Sequence, residues 1–155
     1  MLTKVSPFLT LVLQVAILTL PGPCAEPASD KAPAPAAFSE DELKTLGFEN
    51  DGWKGVTPAM DNVKEGKAAG LWKEHTASKA VTSDRIPHNW SGVGELRFWM
   101  HSEVATGEGV MLILDSQREK TVYSYYSYLI NVKWKGWKEF KIPFQKLGAV
   151  RDPAG

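Results

Sequence analysis

The chain of 155 residues has the length of a single domain, and its 18 basic and 18 acidic side chains give a formal net charge of +0. This balance argues against a nucleic-acid-binding protein, which normally carries a basic patch, and the single cysteine excludes a disulfide framework within the chain or a multi-cysteine metal site. Six Trp, six Phe and four Tyr give an aromatic content more typical of binding than of catalysis.

Residues 1–24 have the pattern of a secretory signal peptide. Lys4 gives a positive start, residues 8–20 form an apolar run, and a segment of Pro, Gly and small residues follows for cleavage. The run is shorter than the roughly 20 apolar residues that span a bilayer, which disfavours a membrane anchor. A lipoprotein signal at Cys24 is an alternative, although Pro23 stands where such signals carry a small residue. We therefore predict a secreted or periplasmic protein, without a membrane partner after cleavage.

Residues 25–37 are predicted to be a linker, because Ala, Pro and charged residues cannot bury apolar area and favour an extended tether. Residues 38–155 form the predicted folded module. Ser39, three residues before Glu42, predicts a capping box at the start of a short helix. The mature chain of about 130 residues is long enough to bury a core without disulfides.

After this short helix, apolar segments separated by Gly, Pro, Asn and Asp predict an all-β module. Residues 96–101 alternate, so one strand face is apolar and the other carries Arg97, Trp99 and His101. Residues 110–114 are continuously apolar, which is typical of a strand covered on both faces. Residues 122–132 form a long strand candidate with all four tyrosines. Several short strands of this kind predict a β-sandwich.

Five segments together carry a family resemblance. They are Gly-Phe-Glu at 47–49, Gly-Lys-Ala-Ala-Gly-Leu-Trp at 66–72, and the runs 90–103, 131–144 and 151–155, which begin Trp-Ser-Gly, Asn-Val-Lys-Trp and Arg-Asp-Pro. Over about residues 48–155 the chain resembles the galactose-binding-like jelly-roll modules at the N-terminus of heparinase and alginate-lyase type enzymes. The resemblance implies a jelly-roll β-sandwich that binds carbohydrate and whose partner is a catalytic domain in the same longer chain.

The chain departs from the family pattern at two places. The family continues after the segment matching 151–155 with a Trp and two further strands, so the resemblance implies that the module is incomplete at its C-terminus. Related modules often hold a structural calcium ion. Glu49 matches the acidic residue of the first strand in those modules, but the later carboxylate ligands have no counterpart here. We therefore expect no cofactor, with Glu49 as a weak calcium candidate.

The candidate carbohydrate site consists of aromatic and polar side chains on the predicted strands. An exposed aromatic ring covers the apolar face of a pyranose, while Arg, His or Asn side chains form hydrogen bonds with its hydroxyl groups. Arg118 lies in a polar loop and is suited to a bidentate contact with an acidic uronate. The full candidate set is Arg97, Trp99, His101, Arg118, Tyr123 and Tyr125.

We expect no catalysis by this chain alone. The acidic residues show no obvious facing pair of the kind that glycoside hydrolysis requires, and no lyase motif marks His101 or Tyr123. His75, His88 and His101 lack the spacing of a helical zinc site. The alternative to sugar binding is a structural sandwich whose aromatic face packs against a catalytic domain or another protein.

Overall fold

The computed structural model describes residues 38–73, 79–90, 92–119 and 121–154, together with the backbone of residues 11–15. This part of the chain is all-β with very little helix. Its elements in chain order are β1 (Leu11–Val15), α1 (Glu40–Thr45), β2 (Trp53–Lys54), β3 (Thr57–Ala59), β4 (Ala69–Trp72), β5 (Thr82–Ser83), β6 (Glu95–Ser102), β7 (Gly109–Asp115), β8 (Tyr125–Asn131), β9 (Gly136–Pro143), a 3₁₀ turn (Phe144–Lys146) and β10 (Gly148–Val150).

The strands form small antiparallel sheets. The first sheet has the strand order β3-β4-β1-β6-β9, and the second sheet has the order β10-β8-β7. The short strands β2 and β5 form a separate pair. In the first sheet β6 and β9 pair along their whole length, from Glu95 opposite Pro143 to Ser102 opposite Gly136. These two strands therefore provide the most extended surface of that sheet.

The core lies between the inner faces of the first and second sheets. On β6 the residues Leu96, Phe98 and Met100 are buried, which confirms the alternation predicted from the sequence. Ile130 on β8 and Ile142 on β9 belong to the same buried cluster. Because alternate residues of a strand point to opposite faces, the residues between these core positions lie on the outer faces of the two sheets.

The prediction for residues 110–114 is wrong in one respect. The burial of β7 alternates, and Met111 and Ile113 are 51% and 45% exposed, whereas Val110, Leu112 and Leu114 pack against the core. Only one face of β7 is therefore covered by the part of the chain that the structure describes. A continuous apolar run does not reveal whether a second layer covers the strand, because the run looks the same in both cases.

Two other predictions, the capping box and the strand at residues 122–132, can be compared directly with the structure. The capping box is confirmed, since the Ser39 Oγ accepts from the backbone N–H of Glu42 and the Glu42 carboxylate accepts from the backbone N–H of Ser39 at 2.9 Å. The strand predicted at residues 122–132 is shorter in the structure, where β8 covers Tyr125–Asn131. Ser124 instead donates its hydroxyl to the backbone oxygen of Ser116 and closes the connection between β7 and β8.

Part of the predicted signal peptide is described and takes part in the first sheet. Leu11–Val15, inside the apolar run, pairs with β4 on one side and with β6 on the other. The rest of residues 1–24 and the predicted linker 25–37 lie outside the described residues. Among the residues that are described, no helix is long and apolar enough to cross a membrane.

Candidate functional site

The outer face of the first sheet carries Arg97, Trp99 and His101, as the alternation predicts. Arg97 lies at the centre of a charged row, because its Nη2 is 2.7 Å from the Glu139 carboxylate and Lys141 contacts the same carboxylate at 3.3 Å. Burial would raise the pKa of Glu139, but the hydrogen bonds from Arg97 and Lys141, together with their positive charges, outweigh it and lower that pKa. The carboxylate is therefore held in its charged form between two cations.

A loop between β3 and β4 covers the indoles of this face. The Nε1 of Trp99 donates to the Glu65 carboxylate at 2.9 Å, and the Nε1 of Trp137 donates to the Asn62 Oδ1 at 3.1 Å. The ammonium of Lys64 lies 4.8 Å from the centre of the Trp99 ring, which is a cation–π contact. Asn62 adopts a positive φ of 58°, a conformation that Asn tolerates better than most residues.

Because of these contacts, the loop covers the outer face of the first sheet around Trp99, which we call the Trp99 face. Trp99 and His101 are both half-buried, and the His101 ring packs edge-on against Trp137 with centroids 5.2 Å apart. A sugar ring that stacked on Trp99 would first have to displace Lys64 from it. The arrangement is suited to holding the loop against the sheet, and less suited to receiving a ligand.

The outer face of the second sheet is open and carries the predicted tyrosines. Tyr123 is 45% exposed, and its ring lies 5.3 Å from that of Tyr125 at an interplanar angle of 41°. We call these two rings the tyrosine platform. The Tyr123 hydroxyl donates to the Asp115 Oδ1 at 2.6 Å, and this hydrogen bond, assisted by burial and by the charge of Asp115, raises the pKa of Tyr123. The phenol is therefore neutral at physiological pH and oriented by the carboxylate.

Charged side chains lie beside the tyrosine platform. The Nη1 of Arg151 donates to the backbone oxygen of Tyr123 at 2.9 Å, and Arg151 adopts a positive φ of 65°. The next residue, Asp152, forms an ion pair with Arg118 at 3.2 Å, in which both side chains are largely exposed. The turn at residues 151–152 therefore connects Arg118 to the tyrosine platform.

An apolar stripe continues the same face away from the tyrosine platform. It consists of Met111, Ile113 and Leu129, and Met111 pairs directly with Leu129 across β7 and β8. Leu129 is 53% exposed, the most exposed of the three. The outer face of the second sheet thus has a polar aromatic end and an apolar end.

The structure divides the six predicted site residues between two different sheets. One group is Arg97, Trp99 and His101 on the first sheet, and the other is Arg118, Tyr123 and Tyr125 at the second sheet, so the six do not form one site. Sequence reasoning missed Asp115 and Arg151, which position the tyrosine platform. Asp115 could have been found from the sequence because it directly follows the apolar run 110–114, whereas no local pattern points to Arg151.

Glu49, the calcium candidate, forms a hydrogen bond with the backbone of another segment of the chain. One carboxylate oxygen of this exposed residue accepts from the backbone N–H of Lys67 at 2.6 Å, so Glu49 joins two chain segments. Calcium requires six to eight oxygen ligands. No group of three or more His, Cys, Asp or Glu side chains that could hold a metal is present in the described ranges.

No family model matches the chain, and no curated protein and no solved structure is significantly similar to it. The resemblance to galactose-binding-like modules therefore stays a prediction.

Proposed function

We propose that this chain is an exported, non-catalytic β-sandwich of the jelly-roll type that binds a glycan on the tyrosine platform. In this proposal it is an accessory module of a polysaccharide-degrading enzyme, either a lyase or a hydrolase. The observation that carries the glycan proposal is the pairing of the exposed Tyr123 ring with the half-buried Tyr125 ring beside oriented polar groups.

The chemistry of the tyrosine platform matches that of a pyranose ring. The sugar has an apolar C–H face, which an exposed aromatic ring buries, and hydroxyl groups that need donors and acceptors. Asp115 supplies an acceptor next to the Tyr123 ring, and Arg151 and Arg118 supply donors nearby. The Trp99 face carries similar residue types, but the Trp99 indole already contacts Lys64 and donates a hydrogen bond to Glu65.

The arginines favour an acidic glycan. Arg118 is paired with Asp152, but both side chains are exposed, and an exposed ion pair contributes only about 0–1 kcal/mol. A uronate carboxylate can therefore take the place of Asp152 at little cost and receive a bidentate contact from the guanidinium. We expect stronger retention by a polyuronate such as alginate than by a neutral polysaccharide.

Affinity electrophoresis through gels containing alginate or a neutral glucan tests this proposal. Tyr123→Ala should abolish the retardation in alginate, while Tyr123→Phe, which keeps the ring and loses only the contact with Asp115, should reduce it partially. Trp99→Phe should leave it unchanged. Unaltered retardation of Tyr123→Ala, with an unchanged circular dichroism spectrum, would exclude the tyrosine platform as the binding site.

A matched pair of arginines tests the charge argument. Arg118 and Arg85 are both exposed, and each forms one ion pair at 3.2 Å, with Asp152 and Asp51 respectively. Arg118→Ala should weaken retardation by alginate and leave any retardation by the neutral glucan unchanged. Arg85→Ala should affect neither. An equal loss in both variants would mean that retention follows total charge and not a site.

The apolar stripe favours a second candidate function, which is packing against a neighbouring domain or protein. Met111, Ile113 and Leu129 form an exposed apolar surface, which is typical of protein contacts. Sequencing the coding DNA beyond Gly155 would identify any neighbouring domain. Hydrogen exchange of β7 and β8 in the presence of that domain should then slow around Leu129. Unchanged exchange there would exclude the packing function.

A further inference from the structure

The position of β1 in the first sheet is unusual because this strand comes from the predicted signal peptide. Leu11–Val15 lies between β4 and β6 and runs antiparallel to both. Leu13 pairs with Gly70 on one side and with Met100 on the other. Cleavage after residue 24 would remove the strand that joins the two halves of the sheet.

Removal of β1 would leave a gap one strand wide. Neighbouring strands lie about 4.8 Å apart, so β4 and β6 would face each other across roughly 10 Å. Both strands would then present unpaired backbone N–H and C=O groups, which are costly when they are not satisfied. The β3–β4 pair would also be isolated, and a two-stranded piece of this length is marginal in water.

The register of β1 specifies what kind of strand fits the gap. The first, third and fifth positions of the strand pair with Trp72, Met100 and Phe98, all of which are buried. The second and fourth positions pair with His101 and Trp99 on the outer face. Directly opposed residues share a face, so the gap takes an extended segment with apolar residues at alternate positions. The sequence Leu-Val-Leu-Gln-Val satisfies this pattern.

We propose that the gap between β4 and β6 is a strand-acceptor site, which Leu11–Val15 occupies in the uncleaved chain. After cleavage the site takes a strand of the same alternating pattern from a second polypeptide, by β-augmentation. The second half of this proposal rests on the predicted cleavage and not on the glycan site, because the tyrosine platform lies on the other sheet. Export is assumed in both proposals, but failure of glycan binding and failure of strand binding are measured at different sheets and can be distinguished.

The test uses the full chain, produced without export and with a protease site inserted within residues 25–37. After folding, the chain is cut and passed through a gel-filtration column. The N-terminal piece should co-elute with the remainder. An excess of a labelled synthetic peptide of residues 9–17, with lysines added at each end for solubility, should then replace it at a ratio of one to one. Separation of the two pieces on cutting, whatever the state of the remainder, would overturn the proposal.

Two variant peptides make the test specific for the register. Leu13→Asp puts an acidic residue at the register position opposite Met100, which is buried, and we expect it to weaken binding at least about 100-fold, because burying an unpaired charge is expensive. Gln14→Asp introduces the same charge one position later, in the row of Trp99 on the outer face, and should change affinity by less than about threefold. Equal affinities of the two peptides would show non-specific apolar adhesion and would overturn the proposal.

Discussion

Gly70 of β4 lies where the structure leaves no room for a side chain. A Cβ built on Gly70 would contact the Phe48 ring, at 2.6 Å from Cδ1 and 2.9 Å from Cζ, and it would also touch Cε1. Phe48 is only 2% exposed and packs on Trp53 with ring centroids 4.9 Å apart, so the ring has little freedom to move. Overpacking of this kind costs about 1–3 kcal/mol. We therefore expect Gly70→Ala to lower the free energy of unfolding by that amount.

Gly94→Ala is the matched control, because a Cβ at Gly94 would meet nothing within 4 Å. This variant should change the free energy of unfolding by less than about 1 kcal/mol. Urea unfolding followed by tryptophan fluorescence measures both. Adding Phe48→Leu to Gly70→Ala should give a double variant that is less destabilised than the sum of the single changes. If Gly70→Ala and Gly94→Ala unfold at the same urea concentration, the packing of Phe48 on β4 is not as described.

Three further predictions concern single side chains. Because the pKa of Glu139 is lowered, its carboxylate stabilises the fold above its normal titration range, and this contribution is lost as the pH falls from about 5 towards 3. Glu139→Gln should therefore reduce the difference in melting temperature between pH 7 and pH 3. Ser39→Ala removes the N-cap of α1 and should cost about 1 kcal/mol in urea unfolding. Tyr123→Phe should remove a phenol that titrates at raised pH in ultraviolet absorbance, and Asp115→Asn should lower its pKa.

Local patterns in the sequence predicted the features that depend on neighbouring residues. The period-two alternation of β6 separates buried Leu96 and Phe98 from half-buried Arg97 and Trp99, because the geometry of a strand alone determines the two faces. The capping box at Ser39 is equally local. The exposure of Met111 could not be predicted in this way, since it depends on whether another layer covers β7.

The candidate site could be predicted only in part because its geometry depends on distant contacts. The alternation correctly assigns Trp99 to an outer face, but it does not reveal that Glu65, which is 34 positions away, accepts its N–H. It also does not show that Tyr125 belongs to a different sheet from Trp99. Strand pairing between remote segments is determined by packing and register, which single-sequence periodicity does not contain.

The predicted signal peptide and the observed β1 place conflicting demands on the segment Leu11–Val15. Under the proposed export the segment would be extended from the folded body and then released, whereas as β1 it stays between β4 and β6. Folding before export would bury the segment in the sheet and protect it, and cleavage before folding would leave the acceptor gap to another strand. Mutations that weaken β1 pairing, such as Leu13→Asp, therefore act on the folded body only when folding precedes cleavage. Under the strand-acceptor proposal, the order of folding and cleavage therefore decides which strand completes the first sheet.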